Sequence, residues 1–557
     1  MRILSIGFGL CMLADIAFAE GDYLQIHRVF CHKEDQIEAA RRMYPHAFDH
    51  GLITMSFNQL KIGPSPEVRD FGNFCKFIEL FKSRGVDMQI AVSTTIGHQD
   101  KWTFRGDYPM MVGADGTKAR AMACPRSRKI REYVRKTYAD YAALRPSVIW
   151  MDDDLRMHWH PAVDHPCFCE DCLKRFASEF GIDADRKRLA RALLDDGTID
   201  GKRVRVAWRE YNRRALNDLV VTAEKAVHEV DRGISIGFMV CNYNNPRGQY
   251  YTPPDFKSWI DIAGASGAKV WFRLGSGTYT DCTPYDDRHG FIFKNILIGR
   301  ACAITEGDRV VNLAEEVTSP YIRRTKSMRL TFLEAVLNIG MAGVEGTIYD
   351  AIKPNLDEQL LPDSVVAEMN RRYPELDRML SLVRGKRQLG AYPEPLPDPW
   401  LTSGKVESLR DACDPGPEKW VDLLYLGIPV TFRESNACAR IENREWPKAL
   451  ARREGEEIKD SFDRLAGGRM PSRIDSILRI GQSVWESPDG KERVVFVYNF
   501  DFDDAKSVRL TENGRFAAER LNADGSWSAL GTGDVFELKA LPAWSAAVVR
   551  LVRQPGE

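Results

Sequence analysis

The stretch "SVIWMDDD", Ser147 to Asp154, sets a short apolar run against three consecutive carboxylates. Four to six apolar residues bounded by polar ones read as a buried strand, and the acids then sit at its C-terminal end. Runs of the same kind recur on both sides: "YLQIHRVF" from Tyr23, "GLITMSF" from Gly51 and "DMQIAVST" from Asp87 precede it. "ISIGFMV" from Ile234, "KVWFRLG" from Lys269, "RVVNLAEE" from Arg309 and "GVEGTIYD" from Gly343 follow it. Helical patterns lie between them, such as "DQIEAARRM", "FCKFIELFKSRG", "SRKIREYVRKTYADYAAL" and "MRLTFLEAVLNIG". Eight strands alternating with helices predict a (β/α)8 TIM barrel, here over residues 20–385. A doubly wound open sheet is the alternative, but no glycine-rich phosphate turn follows the first strand.

The rest of the chain bounds the function. A formal net charge of −1, with 28% charged residues among 557, gives no field that would draw nucleic acid or an anionic membrane. Beyond the N-terminus no segment has the roughly 20 apolar residues of a membrane span. The expectation is a soluble protein with a small-molecule or polymer substrate. The first residues, "MRILSIGFGLCMLADIAFAE", carry two readings. Ala17-Phe18-Ala19 fits the small-x-small cleavage site of a signal peptide over residues 1–19, which would send the chain to the periplasm or outside. Asp15, Gly7 and Gly9 fit a first buried strand and turn instead, in a cytoplasmic protein.

The C-terminal third changes character. Residues 386–415 are rich in Pro, Gly and Asp, as in a linker. "EKWVDLLYLGIPVTF" from Glu418 then reads as a helix followed by a strand, so 386–478 is expected to hold the linker and a small α/β domain. From residue 479 to 557 short strands alternate with the hairpin turns "PDGK" and "NADGS", an antiparallel β-sandwich-like domain.

Chemistry concentrates after the fourth strand. Active-site groups of a barrel lie at the C-terminal ends of its strands. Asp152, Asp153 and Asp154 end strand 4, and Glu315 and Glu316 end strand 7. A pair of carboxyl groups across the mouth is what glycoside hydrolysis needs: an acid for the leaving oxygen and a carboxylate to attack or to activate water. Capping of the next helix or cation binding is the plainer reading of the aspartate run alone. His27, Arg28 and Trp102 could line a sugar subsite, with Trp102 as a stacking platform, or simply pack at the rim. Tyr349 ends strand 8 and faces the mouth in one register, outward in the next. Asp152, Asp154, His158 and His160 together would make a metal-dependent hydrolase, and a barrel without turnover would be a non-catalytic sugar-binding protein.

Cysteines form a separate group. Cys167, Cys169 and Cys172 make C-x-C-x-x-C, close enough to converge on one ion, and Cys124 in "AMACPRS" is the best fourth ligand. Four thiolates suit a closed, structural zinc site that would pin the loop after strand 4 to the segment after strand 3.

These residues carry a resemblance. "YPMMVGADGTKARAMACPRSRKIREY", "WMDDDLR" and "CFCEDCLKRFASEFG" are similar to the β-galactosidases of glycoside hydrolase family 42, as are "NLAEEVTSP" and "EKWVDLLYLGIPV". The likeness spans most of residues 23–380 and, more weakly, the remainder. It implies a barrel, a flavodoxin-like domain used in trimer formation and a small C-terminal β-domain. It further implies a retaining, exo-acting enzyme on a β-linked carbohydrate substrate, a homotrimer, and structural zinc on the four cysteines with no organic cofactor. Asp154 takes the place of the acid/base glutamate, Asp153 that of the preceding asparagine, and Glu315 or Glu316 that of the nucleophile. Arg120 takes that of a sugar-binding arginine. Asp-Asp thus replaces Asn-Glu. Asparagine is the residue that bonds the sugar 2-hydroxyl, and aspartic acid reaches one methylene less far, so the sugar itself stays open.

Overall fold

A computed structural model describes residues 23–29, 53–56, 68–83, 88–92, 95–97, 108–151, 155–157, 163, 166–240, 255–275, 288–314, 327–352, 363–395, 404–405, 418–443, 460–461, 464 and 466–555. Eight short parallel strands close on themselves: β1 (Leu24–Val29), β2 (Ile53–Ser56), β3 (Met88–Val92), β4 (Val148–Met151), β5 (Ser235–Val240), β6 (Val270–Leu274), β7 (Val310–Ala314) and β8 (Gly346–Ile352). The first seven fall within an expected run, β8 starts inside its own and overruns it by two residues, and β8 pairs with β1 to complete the barrel. Helices return the chain between strands: α1 (Val68–Ser83), α2 (Arg128–Ala142), α3 (Glu170–Phe180), α4 (Arg186–Leu194), α5 (Val204–His228), α6 (Phe256–Ala263), α7 (Arg288–Ile304), α8 (Met328–Leu337) and α9 (Asp363–Val383). No helix among the described residues is long and apolar enough to cross a membrane.

Strand alternation decides what fills the barrel. Phe238 and Phe272 turn outward, where they meet Trp259 and Phe256 of α6 at 4.8 and 5.5 Å between ring centroids. Their neighbours Gly237 and Trp271 therefore turn inward. Trp150, Gly237 and Trp271 lie side by side in register on β4, β5 and β6. The two indoles meet edge to face at 6.1 Å. A Cβ on Gly237 would lie 2.3 Å from the Trp150 ring, so the middle position must be glycine. Trp150 completes the layer by donating its Nε1–H to Gln89 Oε1 at 2.8 Å.

Beyond the barrel lie β9 (Arg387–Pro393), α10 (Glu418–Tyr425), β10 (Ala437–Ile441), β11 (Ser472–Asp475), β12 (Ile480–Glu486), β13 (Glu492–Asn499), β14 (Ala505–Leu521), β15 (Trp527–Leu541) and β16 (Ser545–Arg553). The expected hairpin turns join β12 to β13 and β14 to β15. Three expectations need correction. The segment read as linker opens with β9, because pairing with β12 stabilises it whatever its composition. The strand expected at the end of "EKWVDLLYLGIPVTF" is only a bridge, Val430 to Ala391; Pro429, just before it, brings no N–H to a ladder. The small α/β unit does pair β9 with β10 in parallel, but β9 also joins the antiparallel strands, so one sheet runs across the boundary placed at 478/479.

One fastening of that sheet to the barrel is a single turn. After α8 the chain continues as a π-helical turn, Asn338–Ala342, before β8. Gln388 and Trp485, cross-strand partners on β9 and β12, donate to the consecutive carbonyls of Met341 and Gly340, each at 2.7 Å. Gly340 has no room for a side chain, since a Cβ would meet Tyr498 Oη at 2.1 Å and the Phe496 ring at 2.7 Å.

Candidate functional site

The mouth is set by the C-terminal ends of the strands. β4 ends at Met151 and β7 at Ala314, each one residue before its acidic cluster, with β5 and β6 between them in the sheet. Asp152, Asp153, Asp154, His158, His160, Trp102, Glu315 and Glu316 themselves lie outside the described residues. His27 and Tyr349 are register partners on β1 and β8, and their side chains also lie outside the described residues. Arg120 stands exposed on a short hairpin, Met110–Val112 with Lys118–Ala123, that leads into Cys124. Past the aspartates, Leu155, Arg156 and Met157 are buried.

Below the mouth the floor is apolar, formed by the Trp150–Gly237–Trp271 layer. One step nearer the mouth, Met239, Arg273 and Leu313 share register on β5, β6 and β7. Arg273 is 1% exposed. The sequence reading passed over it, although an arginine inside the apolar run "VWFRL" was the available signal.

The cysteines converge. The sulfurs of Cys124, Cys167, Cys169 and Cys172 all lie within 4.8 Å of one another, with three of the residues buried and Cys169 half-buried. Cys124 and Cys172 sulfurs are 3.5 Å apart, a thiol contact and no disulfide. Three backbone bonds hold the two loops in place: Phe168 N–H to Val112 O at 2.7 Å, Cys124 N–H to Pro109 O at 2.7 Å and Ala123 N–H to Ile96 O at 2.8 Å. The third ties this centre to the segment leaving β3. Val112 N–H points at Cys167 Sγ, 3.4 Å away. From α5, Tyr211 donates its hydroxyl to Cys172 O at 2.9 Å, and Arg126 stacks 3.7 Å over the Tyr211 ring. Hydrogen bonds from Cys124 and the other thiols hold Cys169 well below the ordinary thiol range. The same crowding, with Cys124 the main cause, pushes Cys167 and Cys172 above it.

No family model matches the chain, and no curated protein sequence does. Solved structures do. A catalytic mutant of Gan42B, a GH42 β-galactosidase from G. stearothermophilus, is similar with a TM-score of 0.63 at 9% identity, over 96% of this chain and 98% of that one. The fold is that of the family 42 β-galactosidases. The β-galactosidase of Rahnella sp. R3 gives a TM-score of 0.62 at 12% identity, over 96% of this chain and 99% of that one. An α-L-fucosidase from Paenibacillus thiaminolyticus follows at 0.53 and 10%, over 96% of this chain and all of that one. Likeness at such low identity speaks for the β-galactosidase fold and leaves the sugar open.

Proposed function

We propose that this chain is a glycoside hydrolase that removes a terminal β-linked sugar with retention, through a covalent glycosyl intermediate. Asp154 protonates the leaving oxygen and then activates water, and Glu315 is the nucleophile, with Glu316 as the alternative. The observation that carries this reading is the ending of β4 and β7 one residue before the two acidic clusters, in a barrel with the β-galactosidase fold. Asn312 Oδ1 faces outward to accept from Thr305 Oγ1 at 2.8 Å, so Val311 and Leu313 of β7 face the barrel interior. Arg120, Asp153, Trp102, His27 and Tyr349 are proposed to contact the sugar.

The four cysteines are proposed to hold structural zinc. A tetrahedral site with Zn–S bonds of about 2.3 Å has sulfurs roughly 3.8 Å apart. The observed spread, within 4.8 Å with one pair at 3.5 Å, fits that shape. Zinc would hold the loop carrying the acid, and it takes no part in the proton transfers. A homotrimer completes the proposal, and sedimentation as a monomer at micromolar concentration would rule it out.

The test of the chemistry is Asp154→Ala on a panel of aryl glycosides. Loss of general acid assistance should cost about 10²–10⁴-fold on poor leaving groups and little on dinitrophenyl glycosides, which leave without a proton. Azide should then rescue the second step and yield a β-glycosyl azide. Equal loss on every substrate, with no azide product, would remove Asp154 from the acid role. A wild-type protein that turns over no glycoside in the panel would refute the glycosidase reading as a whole.

A further inference from the structure

A single residue of α5 grips both chain segments that bring the cysteines together. Cys124 and Cys172 lie 48 positions apart in the sequence, the first on the segment before α2 and the second inside α3. Tyr211, on α5 and 0% exposed, touches both segments. Its hydroxyl donates to Cys172 O at 2.9 Å. Its own carbonyl accepts from Nη2 of Arg126, two residues after Cys124, at 2.7 Å. The Arg126 guanidinium also lies 3.7 Å over the Tyr211 ring, and its other amino group reaches Glu179 of α3 at 3.6 Å. Trp208 and Phe176 pack against the same ring, at 5.6 and 5.5 Å between centroids, and hold the phenol in place. A second guanidinium braces the loop from elsewhere: Arg186 Nε donates to the carbonyl of Phe168, between Cys167 and Cys169, at 3.1 Å.

The contacts of Tyr211 and Arg126 reach backbone, ring and carboxylate atoms and no sulfur, so they form without a metal. Four thiolates around one point repel each other, and a chain that must gather them at the moment of binding loses affinity to the ordering. A frame that already holds both segments removes much of that cost. We infer that Tyr211 and Arg126 are the outer shell of the cysteine centre, keeping its four ligands assembled and setting how tightly zinc is held. The inference rests on the zinc reading of the four cysteines. Neither residue supplies a ligand atom, and both act through the cysteines as positioning residues.

Two substitutions open this clamp at different points. Tyr211→Phe keeps the ring and its packing and removes only the bond to Cys172 O. Arg126→Met keeps an apolar stem and removes the bond to Tyr211 O, the stack and the ion pair. The assay is competition for zinc between the full-length protein and chelators of graded affinity, with the rate of transfer to a chromogenic chelator. Outer-shell partners of metal ligands typically contribute 10–100-fold in affinity, so each variant should bind zinc about tenfold or more weakly and release it faster. The two bonds meet at one residue, so the double variant should lose less than the product of the single effects. A role in packing alone would lower unfolding stability equally with and without zinc and leave the affinity where it is. Folded variants that hold and release zinc as the wild type does would overturn the inference and leave the zinc reading standing. A wild-type protein that takes up no zinc would end both.

Discussion

Trp485→Phe probes the joint between barrel and sheet. The indole N–H of Trp485 donates to Gly340 O at 2.7 Å, and the residue is 5% exposed. The π-helical turn leaves that carbonyl without a helical partner: the next intrahelical bonds close on Ile339 O and Asn338 O, from Gly343 N–H and Val344 N–H. Phenylalanine keeps the aromatic packing and removes the donor. An orphaned buried carbonyl costs about 1–3 kcal/mol, and the smaller ring adds about 1 kcal/mol of lost packing. Gln388→Leu removes the neighbouring donor, to Met341 O, and should cost about 1–3 kcal/mol by the same reasoning. The assay is urea unfolding followed by circular dichroism, with hydrogen exchange of the β9 and β12 amides to show where protection is lost. The double variant should loosen the sheet at this joint, so that exchange in β12 speeds up relative to the barrel strands. If both single variants stay within about 0.5 kcal/mol of the wild type, the two donors do not hold the joint and the reasoning fails.

Other expectations follow from single contacts. Gly237→Ala places a methyl 2.3 Å from the Trp150 ring, and overpacking of that kind should cost about 1–3 kcal/mol in unfolding free energy, with a loss of activity because the floor of the mouth must shift. An unchanged melting temperature would contradict the packing. Metal analysis of the purified protein should find about one zinc per chain, resistant to mild chelation, and Cys124→Ser should release it; full retention would mean the four thiols do not bind it as a set. Glu512 has its carboxyl pushed up from the ordinary 4.5 to about 7 by burial, against the opposing pull of Arg493 3.0 Å away. The folded protein therefore binds a proton that the unfolded chain has lost, and stability falls as pH rises from about 4.5 to 7, by about 3 kcal/mol in all. Glu512→Gln should abolish that component in pH-dependent unfolding, and an unaltered pH profile would refute it.

What the sequence determined by itself was local. The barrel strands were legible because a parallel strand buried on both faces favours a largely apolar run, and such runs alternate with helical patterns along the chain. The four cysteines were legible because ligand type and close spacing already limit what they can do, and the tertiary structure then brought Cys124 to the other three. The hairpin turns "PDGK" and "NADGS" were legible for the same local reason. The α/β unit was less so. The pairing of β9 with β12 joins residues nearly a hundred positions apart, and no pattern within "RQLGAYP" distinguishes that partner from solvent in a linker. Gly237 offered no sign that two indoles would close over it, because the packing that requires glycine comes from strands β4 and β6. Arg273 looked like an interruption in an apolar strand. Only closure of the barrel shows it buried beneath the mouth, because its burial comes from strands far away in the chain.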